Sequence, residues 1–396
     1  MSENLQDFSS PVIPIPASAT KSLPILIARP DRLGDVVLST PVLEALRRQY
    51  PNARLTLLVR EAIAPVVRGL PGVDETLVFE PEGRHSGLRG LFRLASELRK
   101  KRFRIAVVLQ SHWKVGLAVL LAGIRSRVGP LSKPHSWICY NRGVRQRRSL
   151  VEMHEADYNL ELLKRLGIRV PTRSLKTRVS VSSDARAFIQ GWLIQNGVNW
   201  DPRTGAPARI EGSGRSFIAV HPGMAGSALN WPEENYLALV RALIREGFGV
   251  ILTGGPTEGA LLDRLTLALE GDAASAPSSS GRWLRYGGPG TGAVDRLAAL
   301  YEACAVVVAP STGPLHLAVA LGKPVVSFYP PIRVQSVVRW GPYVEESERR
   351  GVMVPEVYCG EDFTCRGNVC NHYPCMKSLS VAEAMEKVHD VLGGVR

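Results

Sequence analysis

Six cysteines in 396 residues are too few and too scattered to build a disulfide scaffold. A long apolar run is missing too. The best stretch, Val115 to Ile124, is closed off by Lys114 and Arg125 and falls far short of the roughly 20 residues that a membrane-spanning helix needs. The N-terminus carries Glu3 and Asp7 and is rich in Ser and Pro. Without a basic region followed by an apolar one, residues 1–20 are expected to be a disordered leader and not a signal peptide. Lysine is scarce: ten of the 49 basic residues, which leaves 39 arginines and a net charge of +13. Arginine's planar fork pairs bidentately with phosphates and carboxylates, so the imbalance points to an anionic partner. Nucleic acid, an anionic membrane surface and phosphorylated small molecules all fit at this level. These absences make a cytoplasmic protein the expectation. With 45% apolar and 21% charged residues the composition is that of a folded chain, and the length calls for two domains.

What the chain does have is alternation. Leu23–Ala28, Leu55–Val59, Glu75–Phe79 and Ile105–Leu109 read as strands, the first and last of them continuous apolar runs of the kind buried in parallel sheets. Between them Val36–Gln49, Ala62–Val67, Leu88–Lys101 and Val115–Ala122 read as helices, with Pro41 tolerated in the first turns of its helix. After a Gly/Pro-rich break over Gln195–Ser216 the scheme repeats. Strands are expected at Phe217–Val220, Val250–Thr253, Val306–Ala309 and Pro324–Tyr329, with helices at Pro232–Glu246 and Leu315–Leu321. The fold class is therefore α/β: two facing Rossmann-like domains, with the ligand in the cleft at the strand C-terminal ends. The expected units are 21–205, 206–378 and a C-terminal helix over 379–396. Glu270–Arg282 reads as a low-complexity surface insertion. Gly287–Gly292 (G-G-P-G-T-G) has the wrong spacing for a dinucleotide fingerprint and no clean strand before it, so it reads as a loop.

Four strand-to-helix loops can carry chemistry. Pro30–Asp35 (P-D-R-L-G-D) follows the first strand and opens a helix, where a carboxylate at Asp35 can accept a proton from a hydroxyl. Gly34 would let the chain turn tightly there. Aspartate at a helix start is also a common N-cap, and the loop alone does not decide between the two roles. His221–Gly223 (H-P-G), Thr253–Glu258 (T-G-G-P-T-E) and Pro310–His316 (P-S-T-G-P-L-H) share one design in the second half. Backbone amides at Ser311, Thr312 and Gly313 can cradle a diphosphate, and Glu258 can accept from ribose hydroxyls. Each loop alone is an ordinary strand–helix turn. Three from one domain favour a nucleotide site.

These segments carry a resemblance. I-L-I-A-R-P-D-R-L-G-D-V-V-L-S-T-P, the H-P-G loop followed by N-W-P, L-T-G-G-P-T-E and P-S-T-G-P-L-H-L-A-V-A-L-G-K-P-V-V fall in order over residues 23 to 330. Together they resemble glycosyltransferase family 9, the family of the lipopolysaccharide heptosyltransferases. The resemblance implies a GT-B fold and a metal-independent, inverting transfer with Asp35 as base and no cofactor. It implies a nucleotide-diphosphate sugar, ADP-sugar favoured, as donor and a lipopolysaccharide-core glycolipid or oligosaccharide as acceptor. Donor contacts are expected at His221, Gly223, Ser227, Asn230, Thr253, Gly254, Glu258, Ser311, Thr312, Gly313 and His316. Acceptor contacts are expected at Arg32, Gly34, Arg60 and Arg127. Two positions depart from the family pattern. Leu229 stands where relatives carry Lys or Arg for the donor phosphates, and Ser311 where they carry Asp for the sugar. Ser227, Asn230 or a distant arginine can substitute for the lost cation. A catalytically silent sugar-nucleotide-binding protein and a nucleotide-sugar epimerase on the same fold are the competing readings.

Two features remain. Arg125–Arg148 holds seven basic residues and no acidic one, with Trp137 and Tyr140 among them, and Arg84–Arg104 holds eight against Glu97. They can bind a phosphorylated glycolipid or the anionic inner leaflet, or form a solvated face. No nucleic-acid motif accompanies them, so nucleic acid is not an expected partner. Cys359, Cys365, Cys370 and Cys375 surround His372 without C-x-x-C spacing, which favours packed thiols over a structural metal. Cys139 and Cys304 read as small buried residues.

Overall fold

Two six-stranded parallel sheets organise the computed structural model, which describes residues 23–211, 214–226, 228–273, 282–287, 294–345, 351–359 and 364–393. The leader, Ser227, most of Gly287–Gly292 and most of the Glu270–Arg282 segment lie outside the described residues. The first sheet comprises β1 (Pro24–Ala28), β2 (Arg54–Arg60), β3 (Glu75–Phe79), β4 (Ile105–Val108), β5 (Ser126–Pro130) and β6 (Arg142–Val144), in the order β3-β2-β1-β4-β5-β6. The second comprises β7 (Phe217–Val220), β8 (Gly249–Gly254), β9 (Trp283–Gly287), β10 (Val306–Pro310), β11 (Val325–Phe328) and β12 (Val352–Met353), in the order β12-β11-β10-β7-β8-β9. Read from its β9 side, the second sheet repeats the winding of the first. Every pairing is parallel. The chain therefore reverses direction twice, between β1 and β4 and between β7 and β10, and ligands bind parallel sheets at such switch points.

The inner strands match their sequence reading because both of their faces are covered by helices, so unbroken apolar runs such as I-L-I-A are fully buried. Four strands went unread. β5 (S-R-V-G-P), β6 (R-G-V), β9 (W-L-R-Y-G) and β12 (V-M) lie at or beside a sheet edge, where half-exposed side chains leave no apolar run. β9 leads straight into the Gly287–Gly292 stretch, which corrects the expectation that no strand precedes it.

The expected helix Val36–Gln49 is two helices, α1 (Leu33–Val37) and α2 (Thr40–Gln49). Pro41 explains the break: it cannot donate to Val37, and its ring would crowd that carbonyl. Hydroxyls take over the freed acceptors, Ser39 Oγ donating to Asp35 O at 2.7 Å and Thr40 Oγ1 to Val37 O at 2.7 Å.

The remaining helices of the first half are α3 (Ala64–Val67), α4 (Gly87–Lys100), α5 (Trp113–Leu121), α6 (Pro134–Cys139), α7 (Glu155–Glu161) and α8 (Ser183–Gln195). Those of the second are α9 (Glu233–Arg245), α10 (Gly259–Ala273), α11 (Val294–Glu302), α12 (Gly313–Ala320), α13 (Val337–Trp340) and α14 (Val381–Gly393). α8 and α3 pack on α11, so one apolar cluster runs from Ile25 through Ile189 to Tyr301 across the expected boundary at 205. α14 packs against α9 and β11 and belongs to the second half's helical layer, not to a separate unit.

Candidate active site

The loop after β1 is built around a buried arginine that no sequence signal marked. Arg29 follows the last residue of β1 and is 2% exposed. Its Nη1 donates to Leu109 O at 3.1 Å and Asn159 Oδ1 at 2.9 Å. Its Nη2 donates to Asp35 Oδ1 at 2.7 Å and Glu155 Oε1 at 3.2 Å, and Nε stands 2.6 Å from Asp31 Oδ2. Glu155, at the start of α7, is itself buried and also pairs with Arg148 and with Arg339 Nη2 at 3.0 Å. Three guanidiniums thus meet three carboxylates around a fully buried Arg29 and Glu155.

Charge balance keeps the cluster ionised. Burial alone would favour neutral Arg29, but Asp35, Asp31 and Glu155 more than offset it and hold the guanidinium charged. Burial likewise works against ionised Glu155, and Arg148, Arg29 and Arg339 overcome it, leaving that carboxyl below its ordinary range. Asp31 is the exception: burial pushes it up to about 6 despite Arg29.

Asp35 occupies the first turn of α1, whose N-cap is Arg32, so it is not the cap. Its carboxylate is held by Arg29 and stays 22% exposed, the most open member of the cluster. That geometry suits a base: an anion fixed in direction, reachable from the cleft, at the positive end of a helix.

Across the cleft, the start of α12 meets the start of α1. A Cβ on Gly34 would lie 2.8 Å from His316 Cδ2 and 3.4 Å from Gly313 Cα, and one on Gly313 would lie 3.1 Å from Leu33 Cβ. Gly34 is needed for this approach; its φ is not left-handed, which corrects the expectation of a tight turn. The contact sets Asp35 one residue from the wall formed by the S-T-G-P loop. The amides of Thr312 and Gly313 head α12 and have no carbonyl one turn back. The Ser311 amide is spent on Phe328 O at 3.3 Å and drops out of the expected cradle. His316 is buried against Gly34, with its Nδ1 unpartnered. Burial lowers its pKa to about 4, so its ring packs the interface as the neutral form.

The other two loops lock onto each other. His221 Nδ1 lies 3.0 Å from Thr253 Oγ1, and His221 Nε2 lies 3.4 Å from Glu258 Oε2, which also accepts from Gly255 N at 2.7 Å. Burial raises the Glu258 pKa, but His221 and the Gly255 and Ala225 amides outweigh it and the net shift is downward. A Cβ at Gly223 would lie 2.0 Å from Glu258 Cδ, so the H-P-G glycine makes room for this carboxylate. Gly254 is closed in by Leu262, 2.8 Å from a Cβ there. Asn230 braces the loop: its Nδ2 donates to Pro222 O at 2.8 Å, and its Oδ1 accepts from Trp231 N at 2.8 Å and Tyr236 Oη at 3.0 Å. The Leu229 amide donates to Gln335 Oε1 at 3.2 Å, which ties the segment bearing Arg333 and Arg339 to that position.

Of the expected acceptor residues, Arg32 is exposed beside Asp35, and Arg60 Nε donates to Pro30 O at 3.1 Å, bracing the same loop. Arg127 is not brought to the cleft. Its guanidinium donates to Cys139 O and Ile124 O, both at 2.7 Å, near the N-terminal end of β5. Arg148, read as part of a basic face, turns inward instead. The second half clasps the first around α7. His154 Nε2 lies 2.9 Å from Gly341 O, Arg333 donates to Leu150 O at 2.8 and 3.0 Å, and Tyr343 Oη donates to Asp157 at 2.6 Å.

Among the thiols, Cys139 and Cys304 are buried as expected. In the second cluster only Cys375 is buried, which corrects the expectation of packed thiols. All four line a cavity of about 370 Å³ beside Leu229. Among the described residues no group of three or more His, Cys, Asp or Glu is arranged to hold a metal ion, and no helix is long and apolar enough to cross a membrane.

The family model of glycosyltransferase family 9 (heptosyltransferase) matches residues 91–365. Lipopolysaccharide heptosyltransferase 2 of Escherichia coli is 25% identical over 313 residues, covering 78% of this chain and 82% of that one. Among solved structures, E. coli ADP-heptose lipopolysaccharide heptosyltransferase II superposes with a TM-score of 0.69 at 23% identity, over 93% of this chain and 98% of that one. A family 9 glycosyltransferase of Veillonella parvula gives 0.72 at 20% identity, over 93% and 97%. With two facing parallel sheets, an aspartate at one switch point and a helix N-terminus at the other, the fold is GT-B and the chain belongs to glycosyltransferase family 9, the heptosyltransferases.

Proposed function

We propose that this glycosyltransferase moves a heptose or related sugar from an ADP-sugar to a lipopolysaccharide-core or other envelope glycan acceptor, by metal-independent, inverting displacement. The observation that carries the reading is the packing of Gly34 against Gly313 and His316, which brings the loop bearing Asp35 against the start of α12. Asp35 removes the proton from an acceptor hydroxyl, and that oxygen attacks the anomeric carbon from the face opposite the leaving diphosphate. Arg29 fixes the carboxylate's direction. The leaving diphosphate is met by the Thr312 and Gly313 amides and by the positive end of α12. Glu258 holds the ribose side of the site, and Arg32 and Arg60 line the acceptor side. The similarity to the E. coli ADP-heptose lipopolysaccharide heptosyltransferase supports the sugar, donor and acceptor class. The acceptor so read is lipid-linked, which places the enzyme against the inner leaflet.

Replacing Asp35 by Ala tests this directly. Transfer from ADP-heptose to a delipidated core oligosaccharide should fall by about 10³-fold or more, with donor affinity within a few-fold of the parent. Near-parental turnover would remove Asp35 from the chemistry. Donor binding without turnover in the parent, on any core acceptor, would favour the catalytically silent reading instead.

A further inference from the structure

The rim of the first half carries exposed apolar residues where the reaction needs none. Leu88 and Phe92, one turn apart on α4, are 67% and 62% exposed; Trp113 opens α5, and Trp137 and Ile138 lie on α6, the latter 73% exposed. The starts of these three helices are tied together. Lys114 Nζ, beside Trp113, donates to His85 O just ahead of α4 at 2.8 Å. On the other side Ser111 Oγ lies 3.0 Å from His135 Nε2 and also bonds Ser136, both in α6. All three helices begin at strand C-terminal ends, so the apolar rim lies on the same side of the sheet as Asp35. Arginine and lysine are interleaved with it: Arg89 and Arg93 are exposed beside Phe92, Lys133 precedes α6, and the Arg145 guanidinium sits 4.9 Å from the Trp137 ring centroid.

We propose that this α4–α5–α6 rim is a docking surface for an anionic lipid bilayer. Exposed aromatics on short helices insert at headgroup depth, while flanking cations meet the negative surface. Large apolar side chains gathered at one rim mark an interaction site. The interleaved positive charge names the bilayer as occupant, because a second copy would set like charges against each other. The proposal rests on the acceptor being lipid-linked: docking here turns the Asp35 cleft toward the surface from which such an acceptor projects.

Co-sedimentation of the full chain with phosphatidylcholine vesicles, and with vesicles in which part of the lipid is phosphatidylglycerol, tests it. Binding should require the anionic lipid and weaken with salt. R89E together with R93E should lower the partition coefficient by roughly fivefold or more per charge changed. F92S/W137S/I138S should lower it at every salt concentration. None of these changes should alter turnover on the delipidated acceptor, which reports the active site separately. Equal binding to neutral and anionic vesicles, no binding to either, or variants that bind like the parent would each overturn the proposal. So would a concentration-dependent dimer in light scattering that F92S/W137S/I138S abolishes, because it would assign the rim to a second copy.

Discussion

The two sides of the cleft solve the same problem, holding charge at a reacting centre, by different means. The β1 side uses ions: Arg29 and Arg148, joined by Arg339 from the second half, against Asp31, Asp35 and Glu155, with Asp35 the most open of them. The β7–β10 side is mostly backbone and neutral: two helix-end amides, a neutral buried histidine, and one carboxylate tucked under a glycine. The difference follows the chemistry proposed for each side. A base must be an anion pointed in one direction, and directing it takes a fixed guanidinium that is itself balanced. A leaving diphosphate is already charged and needs many weak donors fixed in advance, so the wall facing it can stay neutral.

Removing the hub should break this contrast most severely. R29M leaves three carboxylates facing a site with one guanidinium fewer, so unfolding free energy should drop by about 3–5 kcal/mol and transfer should disappear. Denaturant titration and turnover read the two losses. R29K should not rescue either one, because five contacts need the full fork. If R29M were as stable as the parent, the β1 side would not be an ion cluster in the sense described.

G34A tests the line where the sides touch. Its Cβ must displace the buried His316 ring or part α1 from α12. A shift of that size should cost about a hundredfold in kcat/KM and about 1–3 kcal/mol of stability, read by turnover and denaturant titration.

Titration should separate the two sides further. Asp31 binds its proton more tightly folded than unfolded, so its contribution is present below pH 3.8 and lost as pH rises towards 6. His316 has the opposite sign: its pKa falls from 6.5 to about 4 on folding, so stability drops as pH falls through that window. Between pH 4 and 6, D31N should steepen the rise of stability with pH and H316Q should flatten it, each by on the order of 2 kcal/mol. Parallel slopes in both variants would refute the assignment.

The mildest change is expected at the donor loop. E258Q keeps the shape under Gly223 but weakens its hold on His221, so donor KM should rise about tenfold with kcat nearly unchanged. A kcat loss as large as that of an Asp35 variant would place Glu258 in the chemistry.

Some of this was legible in the sequence and some was not. The loops were readable because a buried parallel strand must be apolar throughout, and the residues that follow it must turn into a helix. Asp35 could be placed at a helix start, but only the structure shows that Arg32, and not Asp35, is the cap and that Arg29 holds the carboxylate. Arg29 was invisible among 39 arginines. The nearest hint was its position directly after a fully buried strand. Glu155 and Asn159 lie 126 and 130 residues away from it, and no local pattern links residues so far apart. Arg127 and Arg148 were misjudged for the same reason. Composition says that a segment is basic, but not which of its arginines face water.

The sequence by itself determined the two α/β halves, the four loops and the residue types at the switch points, because strand burial, helix starts and proline breaks are local constraints. Tertiary structure alone decided which charges meet. Burial makes an unpaired ion costly, so Arg29, Glu155 and Arg339 are fixed by one another across the cleft, and that pairing exists only once both sheets have folded and closed on α7.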